Sequence, residues 1–95
     1  MNASLTITLD GFVVVLYGTF TEYGCTFTAA GYVLVQVNNA PLPAGFEHNI
    51  PMAEFLGRFA PNTMAILNVP ANREFHNTPV RILGTNGNVI RLQTA

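Results

Sequence analysis

The sequence predicts an all-β domain, a jelly-roll-like antiparallel β-sandwich of seven or eight short strands. Three observations carry that prediction. Apolar and polar residues alternate along most of the chain, as in SLTITLD (4–10) and YVLVQV (32–37). Hairpin dipeptides, Asp10-Gly11 and Asn86-Gly87, separate alternating runs. Helical periodicity is almost absent, and two packed sheets are an economical way for short strands to bury their apolar faces.

The elements follow in order. In SLTITLD, Leu5, Ile7 and Leu9 fall on one face and Ser4, Thr6 and Thr8 on the other, which makes a half-buried strand. Asp10-Gly11 then turns the chain into FVVVLYGTF. Phe12 to Tyr17 is apolar on both faces, so this strand is expected to be central and covered on each side. Gly18 is expected to break it, with TFTEY (19–23) resuming beyond. CTFTAAG and YVLVQVNN continue the pattern, with Val33, Val35 and Val37 opposite Tyr32, Leu34 and Gln36. The proline-bearing stretch NNAPLPAGFEHNIPM (38–52) interrupts the alternation. PMAEFLGRF (51–59) fits either one helical turn or an irregular strand. TMAILNV (63–69) reads as a strand, PANREFHNT (70–78) as a polar connection, and PVRILG with NVIRLQT as a closing hairpin.

Composition narrows the function classes. Ninety-five residues make a single domain. Hydrophobic residues are 49% of the chain and charged ones only 9%, against about 25% in an ordinary soluble domain. All four basic residues are arginines, and the net charge is −1. That balance gives neither a nucleic-acid footprint nor a basic membrane patch, so no nucleic-acid partner and no membrane insertion are expected. Near-neutral small domains associate, because little charge repulsion keeps copies apart. Cys25 is alone and cannot form an internal disulfide; it reads as a small buried hydrophobe. FVVVLY (12–17) falls well short of the roughly 20 apolar residues of a membrane-spanning helix. No signal peptide is expected, since no basic segment leads into an apolar one. The chain opens almost directly with a strand, as an excised or terminal domain would.

The residues that carry chemistry are sparse. His48 and His76 lack the short spacing of a zinc pair on one element, and one cysteine cannot build a Cys/His cluster. No Gly-rich phosphate loop or Gly-x-Ser-x-Gly elbow occurs, and no cofactor is implied. The spacing of Glu22, Glu47, Glu54 and Glu74 singles out no carboxylate pair for glycoside cleavage. The reading is a non-enzyme. Two polar loops instead have the composition of saccharide sites, where carboxylates, amides and arginine accompany an aromatic ring. The first holds Phe46, Glu47, His48 and Asn49; the second holds Asn72, Arg73, Glu74, Phe75, His76 and Asn77. Tryptophan, the usual stacking platform, is absent. Arg58, Arg73 and Arg81 suit anionic groups, because guanidinium forks pair with phosphate.

The order of the motifs adds a resemblance. LPAGF (42–46) after the strand YVLVQV, and the closing NGNVIRL (86–92), resemble the C-terminal head domain of tailed-phage receptor-binding proteins of the lactococcal siphophage type. In that family the LPAGF-like segment is usually followed by Arg-Pro, where this chain has Glu47-His48-Asn49. The resemblance implies a trimeric jelly-roll head on the virion tail tip or baseplate. It implies that the head adsorbs to bacterial cell-wall polysaccharide, with a missing N-terminal region attaching it to other baseplate or tail proteins. The site it implies is His48 and its neighbours Phe46, Glu47 and Asn49, faced by Arg58, Arg73 and His76. A stiff proline-bearing loop suits such a role, because it loses little conformational entropy on docking. The apolar faces of YVLVQV and TMAILNV are the candidate subunit seam. The alternative is a structural virion component, such as a capsid decoration protein, that binds no glycan.

Overall fold

A computed structural model describes residues 1–9, 11–37, 51–59 and 61–94. The protein is all-β, as expected, with six antiparallel strands, one short helix and one 3-10 turn among the described residues. The strands are β1 (Asn2–Leu9), β2 (Phe12–Thr21), β3 (Thr26–Gln36), β4 (Thr63–Asn68), β5 (Thr78–Asn86) and β6 (Val89–Thr94). The helix α1 is Met52–Gly57, and the 3-10 turn is Arg73–Phe75.

The strands close into one barrel in the order β1-β2-β3-β6-β5-β4, where the sequence predicts a sandwich of two sheets. Two meanders build the ring. β1–β2–β3 pair over long registers, Asn2 to Leu9 against Thr19 to Phe12 and then β2 against β3 from end to end. β4–β5–β6 form the second meander. Two short ladders join them: Ser4–Thr6 with Asn68–Ile66, and Thr26–Thr28 with Arg91–Val89. Both predicted hairpins are present, with Leu9 opposite Phe12 and Asn86 opposite Val89. Gly11 (φ 87°) and Gly87 (φ 60°) supply the left-handed backbone these tight turns require.

The strand count falls below seven because two glycines do not end strands. β2 runs straight through Gly18, and CTFTAAG merges with YVLVQV into the single strand β3. The β2–β3 register shifts here: Gly18 faces Ala29 and Tyr17 faces Gly31, leaving Ala30 as the extra residue of a bulge. A Cβ on Gly18 would overlap the carbonyl oxygen of Thr28, so only glycine admits this close approach of the two backbones. On the next pair the Tyr17 ring lies over Gly31, within 2.6 Å of where a Cβ would stand.

Alternation decides what faces inward. Leu5, Ile7, Phe12, Val14, Leu16, Phe27, Val80, Ile82, Ile90 and Leu92 all point into the barrel and are buried. No polar side chain is buried among the described residues. β2 is central in its meander, but its second face is not covered as the sequence predicts. Val13 and Val15 are half-buried, and Tyr17 is exposed. A barrel has only one inner face, so the other apolar residues of FVVVLY point outward.

The chain must pass from β3 to β4, which lie three positions apart in the ring, and α1 lies on that crossing. Of the two readings of PMAEFLGRF, the helix is the observed one. Pro51 precedes the first turn and its carbonyl accepts from the Phe55 N–H at 3.0 Å. Phe55, Leu56 and Phe59 are buried, and the Phe55 ring stacks on Tyr32 with centroids 4.2 Å apart while meeting Phe59 edge-on at 5.2 Å. The helix thereby adds its buried face to the core cluster and contacts β3 through Tyr32.

Candidate functional site

Of the seven residues expected to bind saccharide, Phe46, Glu47, His48 and Asn49 lie outside the described residues. Arg58, Arg73 and His76 are placed, and the structure separates them. Arg58 caps the C-terminus of α1, just before β4 begins. Its Nη2 lies 3.4 Å from Glu54 Oε1, an i,i+4 ion pair on an exposed helix face. Arg73 and His76 follow the far end of β4, in the connection to β5. A six-residue strand spans roughly 20 Å, so no single small ligand bridges Arg58 and this pair.

The Arg73–His76 connection is a built loop. Phe75 anchors it, buried with its ring 4.9 Å from that of Phe20. Asn72 caps the 3-10 turn, its Oδ1 accepting from the Glu74 N–H at 3.0 Å. The Asn77 N–H donates to Asn68 Oδ1 at 3.1 Å, and the Thr78 hydroxyl donates to the Glu74 carbonyl at 3.2 Å. These contacts fix the backbone and leave Arg73, Glu74 and His76 exposed around it. A cation, a carboxylate and an imidazole are thus held on a short rigid turn, able to read hydroxyls and anions.

Clefts on the outer barrel wall include two formed by described residues. One, of about 240 Å³, runs along β1, β4 and β5 over Thr6, Thr8, Met64 and Pro79. The other, of about 530 Å³, is lined by Thr26, Gly84, Thr85, Asn86, Val89 and Arg91. Arg91, which lines this cleft, is not among the residues that the sequence singles out. The signal was in the alternation of VIRLQT, which turns Ile90 and Leu92 inward and Arg91 outward. Among the described residues no group of three or more His, Cys, Asp or Glu side chains is placed to hold a metal. Cys25 is partly buried, and that burial pushes its thiol pKa up, which makes it a poor nucleophile.

The outer wall is unevenly finished. On β3 Val33 and Val35 are 50% and 49% exposed, and they pair across to Val15 and Val13 on β2. Thr6 and Thr8 continue these rows on β1, and Ile66 and the 48% exposed Met64 extend them on β4. None of these residues is charged. No protein-family model, no curated protein and no solved structure matches the chain.

Proposed function

We propose that the chain is the head domain of a tailed-phage receptor-binding protein, which adsorbs to a cell-wall saccharide of the bacterial host as a homotrimer. The observation that carries this reading is the uncharged apolar patch of Val13, Val15, Val33 and Val35, paired across β2 and β3 on the outer wall. Exposed apolar patches of several hundred Å2 on small proteins mark association surfaces. Copies related by a closed rotation would cover this wall and leave no open patch.

In this reading the Arg73–His76 turn, displayed at one end of the barrel, contributes to saccharide contact. Single sites bind on the order of millimolar to micromolar, and many copies on one particle convert that into firm attachment. The domain acts by binding, without catalysis. Calorimetric titration of purified host-wall polysaccharide tests the proposal. The expected result is saturable binding that the double substitution Arg73→Ala/His76→Ala weakens at least about tenfold, since each removes a polar contact worth about 1 kcal/mol or more. Binding to a capsid lattice with none to the polysaccharide would replace this reading with the decoration-protein alternative.

A further inference from the structure

We infer that the outer face of β5 and β6 is an oxyanion-binding site centred on Arg91, with Arg81 diagonal to it, separate from the Arg73–His76 turn. Two of the four arginines share this face. Arg91 and Arg81 are both exposed, and each alternates with buried neighbours (Ile90 and Leu92; Val80 and Ile82), so both point outward. Arg81 pairs with Gln93 and Arg91 with Gly84, which makes the two arginines diagonal neighbours on this face, Arg91 in the cleft and Arg81 beside it. Neither forms an ion pair or a side-chain hydrogen bond among the described residues, whereas Arg58 is held by Glu54.

The local backbone shapes the site. A register shift between Ile82 and Gly84 leaves two residues of β5 opposite Arg91, a bulge of the kind that re-aims side chains. Gly84 offers no side chain, and the Arg91 guanidinium lies over it, with Nη2 3.6 Å from where a Cβ would stand. The cation therefore lies across the sheet and forms one wall of the 530 Å³ cleft. The Thr26 and Thr85 hydroxyls and the Asn86 amide supply neutral hydrogen-bonding groups around it, and Val89 gives an apolar contact. Among the described residues no carboxylate lines the cleft. A planar guanidinium fork with neutral donors beside it suits a carboxylate or phosphate carried on a small polyol.

The test is amide-resolved NMR titration of the full chain at low salt with four probes: inorganic phosphate, methyl glucuronoside, acetate and neutral methyl glucoside. Saturable shifts centred on Gly84, Thr85, Asn86 and Arg91 are expected with the anions, the stronger binder identifying whether phosphate or carboxylate is preferred. Arg91→Gln lowers that affinity about tenfold or more, as loss of a charge-assisted bidentate contact requires. Gly84→Asp, which fits the space available, places a carboxylate under the guanidinium and abolishes anion binding. Both exposed-face variants should melt with the native chain. Absence of saturable shifts, equal binding of methyl glucoside, or unchanged affinity in Arg91→Gln and Gly84→Asp would overturn the site.

Discussion

Replacing Val33 and Val35 together by threonine probes the apolar wall directly. The two side chains keep 50% and 49% of their full exposure in the single chain. Complete burial of a valine side chain is worth about 1.5–3 kcal/mol, so the exposed halves hold about 1 kcal/mol each. A partner covering both therefore gains about 2 kcal/mol per protomer, and losing it weakens each protomer's docking about 30-fold. Threonine is nearly isosteric and β-branched, so β3 keeps its shape and pairing with β2. Neither position faces the core, so the melting temperature of the single chain should hold. Sedimentation velocity across a dilution series reads the effect. The native chain should pass from trimer to monomer, and the variant should do so at much higher concentration. Leu83→Thr, at a 38% exposed position on β5, which pairs with neither β2 nor β3, is the control and should leave association unchanged. A native chain that sediments as monomer throughout, or a variant that associates as the native chain does, would refute the argument.

Other perturbations test the fold and its chemistry. Gly18→Ala drives a methyl group into the Thr28 backbone and should cost about 3 kcal/mol, the upper end for overpacked sites, read as a fall in melting temperature of more than about 10 °C. Phe55→Ala removes the ring that joins Tyr32 to Phe59 and should cost about 3–5 kcal/mol in chemical denaturation. Asn77 holds φ 56°, so Asn77→Gly should be nearly neutral while Asn77→Val costs about 1–2 kcal/mol. The raised Cys25 pKa should make alkylation slow at neutral pH and faster only above the usual thiol range. The unfolded thiol loses its proton first, so stability should also fall slightly as pH rises past that range, which denaturation at two alkaline pH values would reveal.

Local chemistry was legible wherever a short stretch determined its own outcome. Asp10-Gly11 and Asn86-Gly87 dictated hairpins, and SLTITLD and VIRLQT each had one clearly apolar face, so their inward residues followed directly. Misreadings arose where the outcome depended on a partner strand. Gly18 looks like a strand end, yet its role is to let Thr28 approach, which no window of sequence around Gly18 contains. YVLVQV has two apolar faces, and periodicity cannot say which one the core takes. The β2 register decides it: Leu34 and Tyr32 stand opposite the inward Val14 and Leu16, which leaves Val33 and Val35 outward. The Arg73–His76 turn was readable as a polar loop around a phenylalanine. The Arg81–Arg91 face was not, because it depends on the β5–β6 register and on the bulge at Gly84.

The two outer faces make separable demands on the same few charges. With only nine charged residues, the chain cannot spread cations evenly, and the ring order sets β5–β6 across the barrel from β1–β2. Thr26 of the cleft and Val33 and Val35 of the wall stand toward opposite ends of β3, roughly 20 Å apart, so association through the valines would leave Arg91 and its cleft outside the seam. A ligand site that shared the seam would lose affinity when the seam opened, whereas one at the other end of β3 would not. The Val33→Thr/Val35→Thr chain should accordingly bind inorganic phosphate with native affinity in solution. On a surface coated densely with an anionic ligand it should lose the gain that linked copies provide, about a hundredfold or more for multivalent contact. Equal loss in both formats would place the arginines at the seam and reject the division of the barrel into an associating side and a binding side.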